Sequence, residues 1–237
     1  MRRRKRWGKL PLQPHASVDD LRKTPCIYIL AGTNGGGKSS IAGATIPQWL
    51  GYYNPDEAAR RLRIASAGMT EEEASSAAWE AGVNALERAI KDRASFALET
   101  TLGGQTITSL LEKAFLQGVE VRVWYVGLSS PELHIVRVRA RVARGGHDVP
   151  ESWIRSRYHS SPKNLIQLLP RLTELRVYDN SEDADPNTGA TPVPKPILHI
   201  REGAIIEVCD PPQVPQWAQP IVAAAEKAFL RSPGPRT

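Results

Sequence analysis

The sequence predicts an α/β fold with a doubly wound, mainly parallel sheet and a helical lid. From Pro25 onward, apolar segments of strand length alternate with helical segments, and this order favours a parallel sheet with helices on both faces. The first apolar segment runs directly into a glycine-rich loop at 32–37. Because such sheets bind ligands at the carboxyl ends of their strands, the polar residues that follow each strand are the first candidates for a site.

The glycine-rich loop fits the phosphate-loop (Walker A) pattern G-x-x-x-x-G-K-[ST], with Gly32, Gly37, Lys38 and Ser39 at its fixed positions. The glycines let successive backbone N–H groups turn towards one anion, and a following helix adds the positive end of its dipole. An apolar strand before the loop and a helical segment after it complete the required order. We therefore predict a P-loop NTPase- or kinase-like protein that binds ATP, in which Lys38 reaches the phosphates and the Ser39 hydroxyl holds Mg²⁺. The predicted nucleotide-binding residues are Gly32, Asn34, Gly35, Gly36, Gly37, Lys38, Ser39 and Ser40.

The net charge of +6 originates in the first nine residues. These contain six basic residues and no acid, which leaves 25 basic and 25 acidic residues in 10–237. A segment such as Arg2–Arg6 could touch nucleic acid or an anionic membrane, but we expect a solvated, disordered tail, and the neutral remainder disfavours nucleic acid as a partner. The predicted division is a basic tail at 1–24, a phosphate-loop kinase-like domain at 25–210 and a C-terminal helical tail at 211–237.

The cysteines and histidines indicate neither a disulfide scaffold nor a metal centre. Cys26 and Cys209 make no disulfide framework, and the five histidines show no metal-ligand spacing. No apolar stretch approaches the roughly 18 residues of a membrane span, and no apolar region follows the basic start as it would in a secretory signal. We expect a cytoplasmic protein with no membrane span.

The pattern along the rest of the chain predicts the remaining elements. Strands are expected at 51–54, 95–99, 119–126 and 175–178, with a hairpin from 197–200 and 204–208. Helices are expected at 39–46, from Pro55 onward, at 70–92 behind a capping box, and at 105–117, 130–144, 150–159, 162–171 and 215–231. Residues 182–196, which contain several prolines, are expected to form a loop or flap.

Asp56 follows the second predicted strand by two residues, which places it near the rim of the nucleotide site. A phosphotransferase needs a carboxylate within hydrogen-bond reach of the acceptor hydroxyl, to orient it and to take its proton. Asp56 also stands in the first turn of a predicted helix, where an acid complements the dipole. Position alone leaves both roles open.

Glu99 ends the third predicted strand, and Thr100 and Thr101 follow it. A carboxylate at this place, beside a phosphate loop, can hold a Mg²⁺-bound water or bind acceptor hydroxyls. The alternative is an exposed acid at a strand end with no role. We take Glu99, Thr100 and Thr101 as candidate acceptor-binding residues.

Arg137, Arg141 and Arg144 share one face of the predicted helix 130–144, because they are spaced four and three residues apart. No acid lies within 133–147 to pair with them, so an external anion is their natural partner. Gly145-Gly146 breaks the helix, and Arg155 and Arg157 follow it. Because arginine neutralises the charge of a transferring phosphoryl group, the pattern predicts a lid that closes over ATP. A basic face for RNA is the competing interpretation.

Taken together, these segments resemble the zeta toxin family over about residues 25–181. The segments that carry the resemblance are Gly32–Ser40, Asn54-Pro55-Asp56, Leu98-Glu99-Thr100-Thr101-Leu102, Arg144-Gly145-Gly146-His147-Asp148-Val149-Pro150, Arg157-Tyr158 and Tyr178-Asp179-Asn180-Ser181. The phosphate loop is generic, whereas the Gly-Gly-His-Asp-Val-Pro segment and the later Asp-Asn-Ser are fairly specific. Members of the family are phosphate-loop kinases, and the best known of them phosphorylate UDP-N-acetylglucosamine.

The resemblance implies a role for each candidate. Asp56 would be the base for the sugar 3′-hydroxyl, and Glu99 would help to bind the acceptor. Lys38 and Ser39 would hold the phosphates and Mg²⁺, and Arg144 and Arg157 would be the lid arginines on the γ-phosphate. The lid assignment could shift by a turn to Arg141 or Arg155. Family members are often held inactive by a small antitoxin protein, so an antitoxin is a candidate partner.

Three other interpretations stay open on the sequence. The same chemistry could act on another hydroxyl, such as that of a nucleotide, NAD or a plain sugar. A nucleic-acid-binding ATPase would use Arg2–Arg6 and the lid arginines, and its binding would fall steeply with salt. A catalytically idle nucleotide-binding module would be indifferent to the loss of the Asp56 carboxylate.

Overall fold

The computed structural model describes residues 24–39, 41, 46–47, 49–182 and 193–229. Several predicted features lie outside these residues. They are most of the predicted tail, the candidate residue Ser40, most of the predicted helix 39–46 and most of the predicted flap 182–196. The described strands are β1 (Cys26–Ala31), β2 (Tyr52–Tyr53), β3 (Phe96–Thr100), β4 (Glu120–Gly127), β5 (Glu174–Asp179), β6 (Lys195–Arg201) and β7 (Ala204–Val208). The described helices are α1 (Pro55–Ala65), α2 (Glu71–Lys91), α3 (Gln105–Leu116), α4 (Pro131–Val142), α5 (Glu151–Leu168) and α6 (Gln219–Phe229), with 3₁₀ turns at Leu169–Arg171 and Pro211–Gln213.

The seven described strands form one sheet in the order β2-β3-β1-β4-β5-β6-β7. β1 to β5 run parallel, and β6 and β7 are antiparallel additions at one edge. The chain leaves β1 for β2 and β3 on one side and later returns to β4 on the other side. The loop that follows β1 therefore lies at the switch point of the sheet, where open α/β sheets bind ligands. The predicted fold class is confirmed.

Two apolar clusters lie on the two faces of the sheet. On one face Ile27 and Ile29 pack with side chains from α2, α3, α5 and α6. On the other face Tyr28 and Leu30 pack with Trp124 and Ile41. This alternation is what a fully buried central strand requires. Cys26 is 1% exposed, and burial raises the pKa of its thiol to about 12, so it is a small apolar core group as expected.

Local sequence signals account for the helix starts. Thr70 and Glu73 form a reciprocal capping box at the start of α2. Ser130 caps α4 with its side chain, and Pro131 occupies the first turn. Asn54 caps α1 in the same way and is followed by Pro55.

The predicted break before Pro162 is wrong, because α5 is one continuous helix from Glu151 to Leu168. Ser160, Ser161 and Asn164 donate side-chain hydrogen bonds to the carbonyls of Gly103, Thr101 and Leu102 respectively. These contacts tie both sides of the proline to one loop, and tertiary packing offsets the lost backbone hydrogen bond.

Candidate active site

Backbone conformation in the phosphate loop explains its glycines. Gly32 has φ +134°, and a Cβ there would collide with the carbonyl oxygen of Val126 in β4. Gly35 has φ +80°, and a Cβ there would lie 2.7 Å from the carbonyl oxygen of His134. Both positions therefore exclude other residues, and the loop is wedged between β4 and α4.

Lys38 folds its side chain back over the loop. Its ammonium donates to the carbonyl of Gly32 at 2.9 Å and to that of Thr33 at 3.5 Å. Glu99 Oε1 lies 3.5 Å from the same nitrogen, and both side chains are largely buried. The cation of the loop is thus held against the loop backbone, in reach of the acid at the next-to-last position of β3.

Three side chains from distant elements fix the loop. Nδ1 of His134 in α4 lies 2.8 Å from the carbonyl oxygen of Asn34, so this nitrogen carries the proton. Asn180, which follows β5, donates to the carbonyl of Gly36 at 3.0 Å. Arg157 in α5 donates to Asn34 Oδ1 at 3.0 Å. The loop is therefore preorganised by contacts on several sides.

The electrostatics of two of these residues follow from burial. Burial lowers the pKa of His134 to about 4, and the charges of Lys38 and Arg137 act in the same direction. His134 is thus a neutral donor at pH 7. Burial also lowers the pKa of Arg157, while the charge of Asp56 acts against that shift, so Arg157 and Asp56 share one electrostatic environment.

Glu99 is surrounded by donors. Besides Lys38, the Tyr52 hydroxyl donates to its Oε2, and Asn54 Nδ2 donates to the same oxygen at 3.1 Å. Burial and then the charge of Glu99 raise the pKa of Tyr52, which keeps the phenol protonated as a donor. Glu99 is only 9% exposed, so it is not the exposed strand-end acid of the alternative interpretation.

The candidate base Asp56 stands at the second position of α1. Its backbone N–H donates to the capping Asn54 Oδ1 at 2.9 Å, and its carboxylate is left to face the lid. Arg141 Nη1 in α4 lies 3.2 Å from Asp56 Oδ2. The Asp56 carboxylate thus lies at the contact between α1 and α4, two residues after Asn54, which bonds Glu99.

The arginines predicted for the lid make different contacts in the structure. Arg141 meets Asp56 and donates its other nitrogen to the carbonyl of His147 at 2.7 Å. Arg144 follows the end of α4 and is exposed, and its Nε donates to the carbonyl of Ala140 at 3.0 Å. Arg155 pairs with Glu132 at 2.7 Å on the surface. Of the predicted pair Arg144 and Arg157, the structure brings Arg157 to the loop and leaves Arg144 outside it, and Arg141 occupies the inner position one turn earlier.

The expectation that these arginines lack acids in the chain is wrong for Arg141. Its partner Asp56 comes from α1, far away in the sequence. Arg139, on the opposite face, pairs with Glu151. Sequence spacing identifies the face of a helix, but not the acid that another element brings to it.

Thr100 ends β3, and Thr101 is the first residue of the loop that follows. The Thr100 hydroxyl oxygen accepts from the Leu102 N–H at 3.1 Å, and Thr100 is 6% exposed. The Thr101 carbonyl accepts from Ser161 Oγ at 2.6 Å. The Thr101 hydroxyl oxygen accepts from the Gly103 N–H at 3.4 Å, so both threonine hydroxyl oxygens accept from backbone N–H groups of this loop.

The residues at the loop fit a magnesium ion of the P-loop type. Ser39 is exposed at the first helical position after Lys38, and Glu99 adds a carboxylate nearby. Within the described ranges, no group of three or more His, Cys, Asp or Glu side chains could form a closed metal cage. Mg²⁺ is ordinarily held by one or two protein oxygens, with water and phosphates completing its shell, so this sparse donor set suits it.

The sequence profile of the zeta toxin family matches residues 15–185, about three quarters of the chain. The chain belongs to the zeta toxin family. Its phosphate loop, the Asn54–Asp56 corner and the Asp179–Ser181 turn all lie inside the matched region, which supports an ATP-dependent kinase.

Other relatives of this zeta toxin family member are distant. It is 28% identical over 127 residues to an uncharacterised protein of Haemophilus influenzae, covering 54% of this chain and 88% of that protein. It shares its fold with AvrRxo1-ORF1 in the AvrRxo1-ORF1:-ORF2 complex with ATP, at 17% identity and a TM-score of 0.59. That match covers 90% of this chain and 66% of the other, so this chain spans just under two thirds of that structure's length. The native form of the same complex gives 18% identity, coverage of 86% and 71%, and a TM-score of 0.59.

Sequence reasoning missed four contributors to the site of this zeta toxin family member. They are the neutral donor His134, the phenol Tyr52, the second contact of Asn54 and the contact of Asn180 with Gly36. Asn54 and Asn180 stood inside the family segments but carried no assigned role. His134 and Tyr52 give no signal in one sequence, since their contacts join distant elements.

The helices in the described part of the chain include none with the length and apolar character of a membrane span.

Proposed function

We propose that this protein is an ATP- and Mg²⁺-dependent kinase that phosphorylates a hydroxyl of a small-molecule acceptor, with the 3′-hydroxyl of UDP-N-acetylglucosamine as the leading acceptor. The observation that carries the proposal is the link from the phosphate loop to Asp56: Lys38 lies 3.5 Å from Glu99, and Asn54 joins Glu99 to the backbone N–H of Asp56. Family membership supports the choice of acceptor, and the site supports the chemistry.

Each step uses a residue of the cleft. The loop N–H groups and Lys38 hold the β- and γ-phosphates of ATP. Glu99 accepts a hydrogen bond from the acceptor, and Asp56 takes the proton of the hydroxyl that attacks. The acceptor oxygen forms a bond to the γ-phosphorus while the bond to the β–γ bridging oxygen breaks, and ADP leaves with that electron pair. When bound at Ser39, Mg²⁺ supplies charge neutralisation on the phosphates.

The arginines act on the charge of the transferring group. Arg157 already contacts the loop through Asn34, and Arg141 is in reach of Asp56. We propose that both turn to the γ-phosphate when ATP and acceptor are bound. Arg141 would then exchange one anion for another, and Asp56 would be released from its ion pair to act as base.

A protein partner of the antitoxin kind is part of the proposal. Membership of the zeta toxin family supports this partner. The structurally similar protein AvrRxo1-ORF1 was also solved in a complex with a second chain, ORF2. A small protein that covers the cleft would restrain such a kinase. Co-expression with the neighbouring reading frame, followed by copurification, would identify it.

The test is a mass-spectrometric scan for added phosphate. Purified protein, ATP and Mg²⁺ are offered UDP-N-acetylglucosamine, NAD, free sugars and nucleosides, and Lys38→Ala is the control that should abolish transfer. Phosphate on the 3′-hydroxyl of the UDP-sugar is the expected result. Phosphate on another acceptor would retain the kinase and reject the acceptor. ATP turnover that rises only with RNA or DNA would replace the proposal by the nucleic-acid ATPase.

A further inference from the structure

Asn54 makes two kinds of contact at once. Its Oδ1 accepts from the N–H groups of Asp56 at 2.9 Å and Glu57 at 3.3 Å, which caps α1. Its Nδ2 donates to Glu99 Oε2 at 3.1 Å. A backbone N–H requires an acceptor and a carboxylate requires a donor, so the contacts themselves fix which end of the amide is which.

Capping α1 does not by itself require asparagine at position 54. Asp and Ser cap helices about as well as Asn does. Neither can accept two backbone N–H bonds and also present an amide donor to a carboxylate on another strand. The side chain of Asn54 is therefore matched to Glu99 as well as to α1.

Tyr52 completes the arrangement from β2. Its hydroxyl donates to the same Glu99 Oε2 that Asn54 contacts, while Oε1 faces Lys38. Both oxygens of Glu99 are thereby oriented, one by β2 and its following residue and the other by the phosphate loop. The Asn54 amide is the link that ties this carboxylate to the backbone carrying Asp56.

We propose that Asn54 is a positioning residue that sets the place of the acceptor-binding carboxylate Glu99 relative to the base Asp56. This inference rests on the proposed function for the roles of those two acids. A shift of about 1 Å in such a pair can cost on the order of 10²-fold in rate. In this proposal Asn54 acts through its contacts with Glu99 and with the backbone N–H of Asp56.

The test compares Asn54→Asp and Asn54→Ser with Glu57→Gln. Asn54→Asp keeps the size and the cap but sets a second carboxylate against Glu99, and Asn54→Ser keeps the cap without the amide donor. Glu57→Gln is the matched control on the same helix turn, because the Glu57 side chain pairs with Arg60 and Arg61 on the surface. Transfer kinetics, ATP affinity and melting temperature are measured for each folded variant.

We expect kcat to fall by about 10- to 100-fold in both Asn54 variants, more in Asn54→Asp, with ATP affinity unchanged and Glu57→Gln at wild-type rate. A residue that only caps α1 would leave Asn54→Asp and Asn54→Ser at wild-type kcat, and that result would overturn the inference.

A second measurement separates this inference from the proposed function. If the wild-type protein transfers no phosphate to any acceptor, the proposed function fails, and crystal structures of wild type and Asn54→Asp decide the positioning role. Displacement of the Glu99 carboxylate from its wild-type position supports the role. A Glu99 carboxylate that stays in place refutes it.

Discussion

Arg141 and Asp56 are 85 residues apart in the sequence, yet their side chains meet at 3.2 Å. Both side chains are about a third or more exposed, at 34% and 41%, and a pair of this kind contributes at most about 1 kcal/mol. The contact is therefore easily exchanged for a phosphate. Among the predicted lid arginines, Arg141 therefore contacts the candidate base directly.

The inner position of Arg141 leads to a matched prediction. We expect Arg141→Ala to lower the transfer rate by about 10³-fold, as loss of an arginine from a phosphoryl-transfer site does, and Arg144→Ala to stay near wild type because Arg144 lies on the surface. Steady-state kcat at saturating ATP and acceptor measures both. A larger loss in Arg144→Ala would restore the original assignment of Arg144.

His134 connects α4 to the phosphate loop through the Asn34 carbonyl. Because the pKa of this histidine is lowered in the folded protein, we predict that the free energy of unfolding depends on pH. Its pKa is about 4 in the folded protein and about 6.5 when unfolded. Between these values the unfolded chain binds the extra proton, so the free energy of unfolding should fall as the pH drops from 6.5 to 4, by up to about 3 kcal/mol.

Urea unfolding of wild type and His134→Leu across pH 4–7 measures this effect. The variant should be less stable at pH 7, since the Asn34 carbonyl loses its donor, and should lack the histidine-dependent slope. A wild-type protein with the same slope as His134→Leu would refute the role of His134.

Glu174 in β5 joins β4 and β6 through a buried ion-pair network, in which Arg122 Nη1 of β4 lies 3.9 Å from Glu174 Oε2. It accepts from Arg176 at 2.8 Å and contacts His199 at 3.0 Å, and its side chain is 7% exposed. Burial alone would raise its pKa, but the hydrogen bond of His199 and the charge of Arg176 lower it to about 2. The carboxylate thus contributes stability that is present above the unfolded pKa, near 4.3, and is lost as the pH falls towards 2.

Glu174→Gln should therefore destabilise the protein by about 3 kcal/mol at pH 7, because it leaves buried cations without their anion. The difference from wild type should shrink on acidification from pH 4.3 to 2. Denaturant melts at several pH values test this prediction, with the surface variant Glu112→Gln as control. Equal stability of Glu174→Gln and wild type at pH 7 would contradict it.

Most elements were predictable because their signals are local. The capping box at Thr70, the Ser130-Pro131 start of α4 and the apolar run of β1 each specify an element within a few residues. The continuity of α5 through Pro162 was not predictable, since it depends on contacts with the loop after β3. The same reason hid His134 and Tyr52: their roles exist only once the sheet brings separate strands together.

In the molecule as a whole, the C-terminal segment with Trp217 and α6 packs against the strand end that precedes Asn180. Trp217 donates from its indole nitrogen to Asp179 at 2.9 Å, and a Cβ at Gly127 would lie 2.5 Å from its ring. Ile221 and Ala225 of α6 pack in the larger core cluster. Asp179 precedes Asn180, which holds Gly36, so α6 and the turn before it buttress the segment that anchors the phosphate loop.

In the proposed mechanism Asp56 is the base of a phosphotransferase whose nucleotide is held by Lys38 and the loop. The decisive experiment compares the phosphate-transfer rate and the ATP affinity of Asp56→Asn with those of the wild-type protein. We predict a rate about 10²–10⁴-fold below wild type, with ATP affinity near that of wild type. Transfer by Asp56→Asn at the wild-type rate would contradict the account.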